Sequence, residues 1–227
     1  MIDIVDTTCD RLTYLRKTLE YIVERTTTPY RLIVVDDAST GGTVEFLQEM
    51  VAKGVVETLV TRQARIGPEG YLQNLLNLTT SDPIVVTDDD VLCPKLKPDW
   101  LAQGLEVLEQ HQELGVLALN NPACNVRRSR KVRTRGPQVT TCTVLGGTFL
   151  FIRRRALEGY IPPIFSRLGP IKTWLRSVAE PRGYLTNVYC QHIGMKLVRT
   201  RDDLSKVYQV ALPLDGDTLE PQKQYRG

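Results

Sequence analysis

Several things are scarce in this chain of 227 residues. No apolar run approaches the length of a membrane span, so a bilayer-crossing helix is not expected. Asp3, Asp6 and Asp10 interrupt the first apolar residues, which argues against a secretory signal. The five cysteines, Cys9, Cys93, Cys124, Cys142 and Cys190, are odd in number and none stands in a CxxC pair. Neither a zinc site nor a disulfide framework is expected, and reduced thiols in the cytoplasm are the simpler reading. A glycine-rich phosphate loop is missing too. "DTTCDR" (6–11) has no glycine, and "RIGPEG" (65–70) is neither GxGxxG nor a P-loop. The formal net charge of +3 is too small to argue by itself for nucleic acid or membrane.

What is present is ordinary globular composition, 42% hydrophobic and 24% charged, in a length that suits one α/β domain. Short apolar runs alternate with helical patterns. "IDIVDTT" (2–8) reads as a strand, and Leu12, Leu15, Leu19, Ile22 and Val23 recur at helical spacing over 11–25. A strand at 30–40 follows, then a turn at Gly41 and Gly42, a helix over 43–53 stopped by Gly54, and a strand at 55–61. A short helix at 71–80, a strand at 83–87, a helix at 99–112 and a strand at 114–120 complete this half. The alternation implies a mostly parallel sheet with helices on both faces. After residue 121 the pattern changes. Residues 138–160 read as two strands around Gly146 and Gly147 and a short helix, 171–180 as a helix, and 184–194 as a strand. No linker separates two domains. The expected division is a nucleotide-binding half (1–121), a second half (122–200) and a polar tail (201–227).

Two strands end in acids. "IVVDD" ends in Asp36 and Asp37, and "IVVTDDD" in Asp88, Asp89 and Asp90. In open α/β sheets, ligands bind outside the carboxyl ends of the strands. Three adjacent carboxylates repel one another and are costly to desolvate without a partner. Strand alternation would put Asp88 and Asp90 on one side, a hard oxygen site suited to Mg2+ or Mn2+. The competing reading is a solvated acidic turn before the helix near Asp99. Asp36 and Asp37 either cap the next helix with Ser39 and Thr40 or accept hydrogen bonds from a nucleobase or ribose.

Taken in order, "TTCDRLTYL", "LIVVDDAST", "RIGPEGYLQNLL", "IVVTDDDVLCP", "VLGGTFLFIRRRAL" and "GYLTNVYCQHIG" resemble the family 2 glycosyltransferases of the GT-A fold, over about residues 2–194. The resemblance implies a single Rossmann-like domain with a small antiparallel part in its second half. It implies metal-dependent sugar transfer from a nucleotide-sugar donor, a UDP-sugar being favoured, to a sugar or lipid-linked acceptor. Asp36 and Asp37, with Thr8 and Arg11 nearby, fall where the family holds the nucleoside, and Arg65 where a basic residue meets base or phosphates. Asp88 and Asp90 match the metal-binding acids. Asp89, Gly146 and Gly147 are carried as donor contacts. His192 matches a position that serves the metal or diphosphate in some members, against the alternative of a satisfied strand-end histidine. His111, on a helix rich in Glu and Gln, reads as solvated.

The departures matter as much. Inverting members need a general base, and Lys172 and Thr173 stand where the family's acids are sought. Glu180 and Glu158 are poor substitutes. A different alignment, a retaining reaction, or a domain that binds donor without efficient transfer would each account for this. The basic run of Arg127, Arg128, Arg130, Lys131, Arg133 and Arg135 is either a solvated loop or a holder of an anionic acceptor or lipid phosphate at a membrane surface. Without interleaved aromatics it does not suit single-stranded nucleic acid. Arg153, Arg154 and Arg155 either serve the diphosphate or flank a helix.

Overall fold

The computed structural model describes residues 1–66, 75–121, 129–131, 139–142, 145, 149–158, 181–193, 195–199 and 207–211. Strand β1 (Ile2–Thr8) leads into helix α1 (Leu12–Arg25), then β2 (Tyr30–Asp36), α2 (Thr43–Ala52) and β3 (Thr58–Thr61). A short helix α3 (Leu75–Leu78) precedes β4 (Ile84–Asp88) and β5 (Val91–Leu92). Helix α4 (Trp100–Gln110) and β6 (Val116–Asn120) follow. The second half supplies β7 (Ser129–Lys131), β8 (Val139–Cys142), β9 (Leu150–Ile152), α5 (Arg154–Leu157), β10 (Arg182–Tyr189), β11 (Gln191–His192), β12 (Met195–Arg199) and β13 (Val207–Ala211).

The main sheet has nine strands in the order β3-β2-β1-β4-β9-β6-β10-β8-β7. β2, β3 and β4 join β1 in a parallel block. β9 then enters antiparallel between β4 and β6, and β10 resumes parallel to β6. The sheet is mostly parallel, with the antiparallel part drawn from the second half, as expected. A three-residue segment from the second half, β9, separates β4 from β6. β12 and β13 form an antiparallel hairpin that links residues on either side of position 200.

Both faces of the sheet are covered, as the continuous apolar strands require. Ile4, Leu32, Val34 and Val85 pack under α1 and α2 with Trp100, Phe149 and Phe151. Val5, Ile33, Val35, Ile84 and Val86 face the other way with Leu150 and Ile152. On α1 the buried positions are Tyr14, Leu15, Thr18, Leu19 and Ile22. Val23 lies off that stripe and is exposed. β3 starts later than its apolar run, because Gly54 takes φ 70° and the amides of Val55 and Val56 both donate to Met50 O, finishing the turn after α2. Cys9 and Cys93 are free thiols. Among the described residues no helix is long and apolar enough to cross a membrane.

Candidate functional site

The carboxyl ends of β1, β2 and β4 lie side by side, since Thr8 pairs with Asp36 and Thr7 with Asp88. Tight turns follow two of them. Asp10 and Ala38 adopt left-handed φ of 53° and 57°, which bends the chain sharply off the sheet edge.

β4 stops at Asp88, and Asp89 and Asp90 form the turn into β5. Side-chain alternation therefore ends at Asp88, and the expected same-side pairing of Asp88 with Asp90 has no strand to rest on. The contacts divide differently. Asp88 Oδ1 accepts from Thr7 Oγ1 at 3.5 Å. Asp89 Oδ2 accepts from Thr8 Oγ1 at 2.7 Å. Arg11, just before α1, pairs with Asp89 Oδ1 at 3.0 Å and Asp90 Oδ2 at 2.5 Å. Its guanidinium also lies 4.7 Å from the Tyr14 ring centroid. Thr18 Oγ1 fixes the turn by donating to Asp89 O at 2.8 Å.

The crowding raises the proton affinity of these acids. Burial, with the charges of Asp90 and Asp89, pushes Asp88 up to about 8. Burial and the Asp90 charge push Asp89 up to about 7, against the pull of Arg11 and Thr8. Deeper on β1, Asp6 is fully buried and neither of its carboxyl oxygens has a hydrogen-bond partner. Burial first, then the charges of Asp89, Asp88 and Asp90, raise it well above the ordinary carboxylate range.

The last apolar strand does not continue to its histidine. β10 ends at Tyr189, Cys190 N donates to Asn120 O, and β11 leaves the main sheet to pair antiparallel with β5. Ile193 N then donates to Asp90 O at 2.8 Å. This ribbon sets His192 Nε2 3.5 Å from Asp90 Oδ1, an oxygen that is buried and accepts no hydrogen bond. Burial lowers the His192 pKa against the opposing pull of Asp90, which favours the neutral, ligand-competent imidazole.

The residues fit a divalent cation in one specific way. Two donors each about 2.1 Å from one ion and roughly at right angles stand about 3 Å apart, close to the Asp90–His192 spacing. Among the described residues no group of three or more His, Cys, Asp or Glu side chains is arranged to hold a metal. The protein thus offers a partial shell, the kind that substrate phosphates and water complete.

Asp36 and Asp37 separate in role. Asp36 is fully buried, and its Oδ2 accepts from Ser39 N at 3.2 Å. Asp37 Oδ1 accepts from Arg62 Nη1 at 3.2 Å and from the Ile66 amide at 3.0 Å. Arg65 pairs with Asp10, whose Oδ1 also accepts from the Thr40 amide at 2.5 Å. Asp6 and Arg62 were not singled out in the sequence. Arg62 was within reach, because it follows the last residue of β3 and the Asp36–Thr61 register places it at the ligand edge.

Arg153, Arg154 and Arg155 do not reach the site. β9 runs against the parallel strands, so Ile152 lies beside Ile84 at the opposite end of β4. There Arg153 donates to Leu108 O and Leu114 O, and Arg154 to Leu76 O and Thr79 O, carbonyls around the ends of α4 and α3. Glu158 follows α5 at the same far edge and is exposed. His111 ends α4, and its Nδ1 is 3.2 Å from Glu113. Gly146, Gly147, Lys172, Thr173, Glu180, Arg127, Arg128, Arg133 and Arg135 lie outside the described residues, as do the side chains of Arg130 and Lys131.

The model of a family described as Glycosyl transferase family 2 matches residues 3–161. No curated protein sequence matches the chain. Solved structures do. The mannosyltransferase PcManGT from Pyrobaculum calidifontis, in complex with GDP-Man and Mn2+, superposes with TM-score 0.65 at 19% identity, over 85% of this chain and 56% of that one. S. aureus TarS 1-349 in complex with UDP-GlcNAc gives TM-score 0.62 at 14% identity, over 83% and 57%. GalNAc-T7 with UDP, GalNAc and Mn2+ gives 0.64 at 12% identity, over 85% and 43%. The chain thus spans roughly half the length of these proteins, and at such identities the likeness is one of fold.

Proposed function

The chain belongs to glycosyl transferase family 2 and has the GT-A fold, and on that premise we propose that it transfers a sugar from a nucleotide-sugar donor to an acceptor hydroxyl with the help of Mn2+ or Mg2+. The observation that carries this reading is the 3.5 Å approach of His192 Nε2 to the unpartnered Asp90 Oδ1. It occurs at the sheet edge where α/β folds bind ligands. A UDP-sugar is favoured, supported by the UDP and UDP-GlcNAc complexes among the similar structures, beside one with GDP-Man.

Asp90 and His192, with Asp88 beside them, would hold the cation. Asp37, Arg62 and Arg65 would receive the nucleoside and diphosphate, with Asp36, Thr8 and Asp89 bracing that wall, and Gly146 and Gly147 are carried from the sequence as further donor contacts. When bound, the cation neutralises charge on the departing diphosphate. The acidic turn accepts positive charge, Arg62 and Arg65 accept negative charge, and the buried wall excludes water. The acceptor would be a sugar or lipid-linked group bound by the 122–200 half, and the basic run at 127–135 would serve peripheral contact with an anionic surface.

Thermal unfolding with UDP, GDP and dTDP, each with and without Mn2+, tests the reading. A nucleotide with metal raises Tm, and Asp90→Ala removes the metal-dependent part. If no nucleotide with metal shifts the melt, the reading fails.

A second reading, donor binding without efficient transfer, is favoured by the position of Glu158. It is the sole acid between Glu113 and Glu180, and it lies at the wrong edge of the sheet to deprotonate an acceptor. Donor turnover abolished by Asp90→Asn would exclude this second reading.

A further inference from the structure

Arg11 is the cation that the protein itself places on the acidic triplet. Its side chain is 28% exposed, while those of Asp89 and Asp90 are 3% and 2% exposed. The guanidinium holds one oxygen of each acid, and Tyr14 supports it from α1. Asp90 is the shared residue. Its Oδ2 belongs to Arg11, and its Oδ1 faces His192. Any cation accepted by Asp90 Oδ1 and His192 Nε2 therefore enters beside a positive charge already bound to the same carboxylate. We propose that Arg11 is the resident counter-cation of the triplet, a positioning residue that opposes entry of a free divalent ion and turns to the diphosphate when ion and nucleotide arrive together.

Three observations bear on this. Asp90 Oδ1 is buried without a hydrogen bond, so the site is left incomplete on the side away from Arg11. Arg11 lies where α1 meets the loop after β1, and its N-cap position carries no side-chain hydrogen bond that would tie it to the helix. Among the described residues Arg11 is the one cation that reaches the triplet by an ion pair, and it contacts one oxygen each of Asp89 and Asp90 and none of Asp88. A diphosphate supplies the missing acceptor for Arg11 and at the same time oxygens for the ion, which makes the two ligands bind with positive coupling.

The inference rests on the donor-and-cation reading above, and one set of titrations separates the two. Free Mn2+ is followed by its electron paramagnetic resonance signal in solutions of the full chain, with and without UDP. The native protein should bind Mn2+ at least about tenfold more tightly with UDP than without. Arg11→Gln should tighten UDP-free Mn2+ binding by about tenfold and shrink the coupling, because a neighbouring positive charge has gone. Arg11→Lys, which keeps the charge, should stay near native. Unchanged or weaker UDP-free binding in Arg11→Gln overturns the proposal. So does equal Mn2+ affinity with and without UDP in the native protein, a measurement that stands even if Arg11→Gln fails to fold. If native protein with UDP binds no Mn2+, or if binding survives Asp90→Asn, the donor-and-cation reading falls and this proposal with it.

Discussion

His192 and Asp90 meet at 3.5 Å because β11, from the end of the second half, pairs with β5 directly after the acidic turn. Asp90 Oδ1 has no hydrogen-bond partner. Asp90→Asn should abolish the Mn2+-dependent gain in nucleotide affinity. His192→Ala should weaken Mn2+ binding by about 10- to 100-fold, the range seen when a metal site loses a supporting group. Isothermal titration with UDP, with and without Mn2+, measures both. A His192→Ala protein with native metal dependence would assign the histidine to packing.

Asp6 yields a pH prediction. Its carboxyl is held neutral by burial first and then by Asp89, Asp88 and Asp90, whereas the unfolded chain ionises it near the ordinary value of 3.8. Folding therefore takes up a proton at any pH between those two values, and stability declines as pH rises above the unfolded value. Asp6→Asn removes this decline. Urea unfolding should show native and variant close at pH 4 and the variant more stable at pH 8 by at least about 1 kcal/mol. A constant difference across that range would show that Asp6 does not titrate with folding.

Asp99 works in the opposite direction. Burial would raise its carboxyl, but hydrogen bonds from the Ala102 amide and from Thr27 and Thr28 outweigh this and hold it down to about 2. Its Oδ1 caps α4 through Ala102 N at 2.9 Å, and its Oδ2 clasps the amides of Thr27 and Thr28 at 2.7 and 2.6 Å. The contribution is complete above the unfolded value of 3.8 and is lost as pH falls toward 2. Asp99→Ala should destabilise the protein by about 2 kcal/mol or more, joining a lost helix cap to stranded amides. The gap between variant and native should narrow below pH 4, read by thermal unfolding across pH.

Gly104 is set by the aromatic layer beneath α4. A Cβ built there would overlap the ring of Phe151, which is itself fully buried against Trp100. Gly104→Ala should cost roughly 1–3 kcal/mol despite its better helix propensity, because overpacking dominates. Phe151→Leu should recover part of that loss in the double variant, as coupled neighbours do.

The parallel block was legible because each of its strands announces itself locally. β1 ends where "IDIVDTT" ends, Gly54 stops the turn after α2, and the acids mark the ligand edge. What was hidden depends on partners far away in sequence. Nothing in "LFI" (150–152) says that it will pair with both β4 and β6. Nothing in "YCQHIG" (189–194) says that β11 will abandon the main sheet for Val91 and Leu92. The side-by-side placement of Asp88 and Asp90 assumed a strand that continues, and the backbone turns one residue too early. Arg11 was read as a donor contact, and its ion pairs with Asp89 and Asp90 became visible only once α1 was packed over the β4 turn.

β4 pairs only with β1 until β9 is made, and both neighbours of β6, β9 and β10, come from the second half. A growing polypeptide that has emerged only to residue 121 therefore leaves one edge of β4 and both edges of β6 unpaired, on strands of buried apolar residues. Such edges invite pairing with other chains. The sheet can close there only after Ile152 has been made, so this molecule matures late in its own synthesis. The first half alone, residues 1–121, should therefore sediment as aggregate rather than fold.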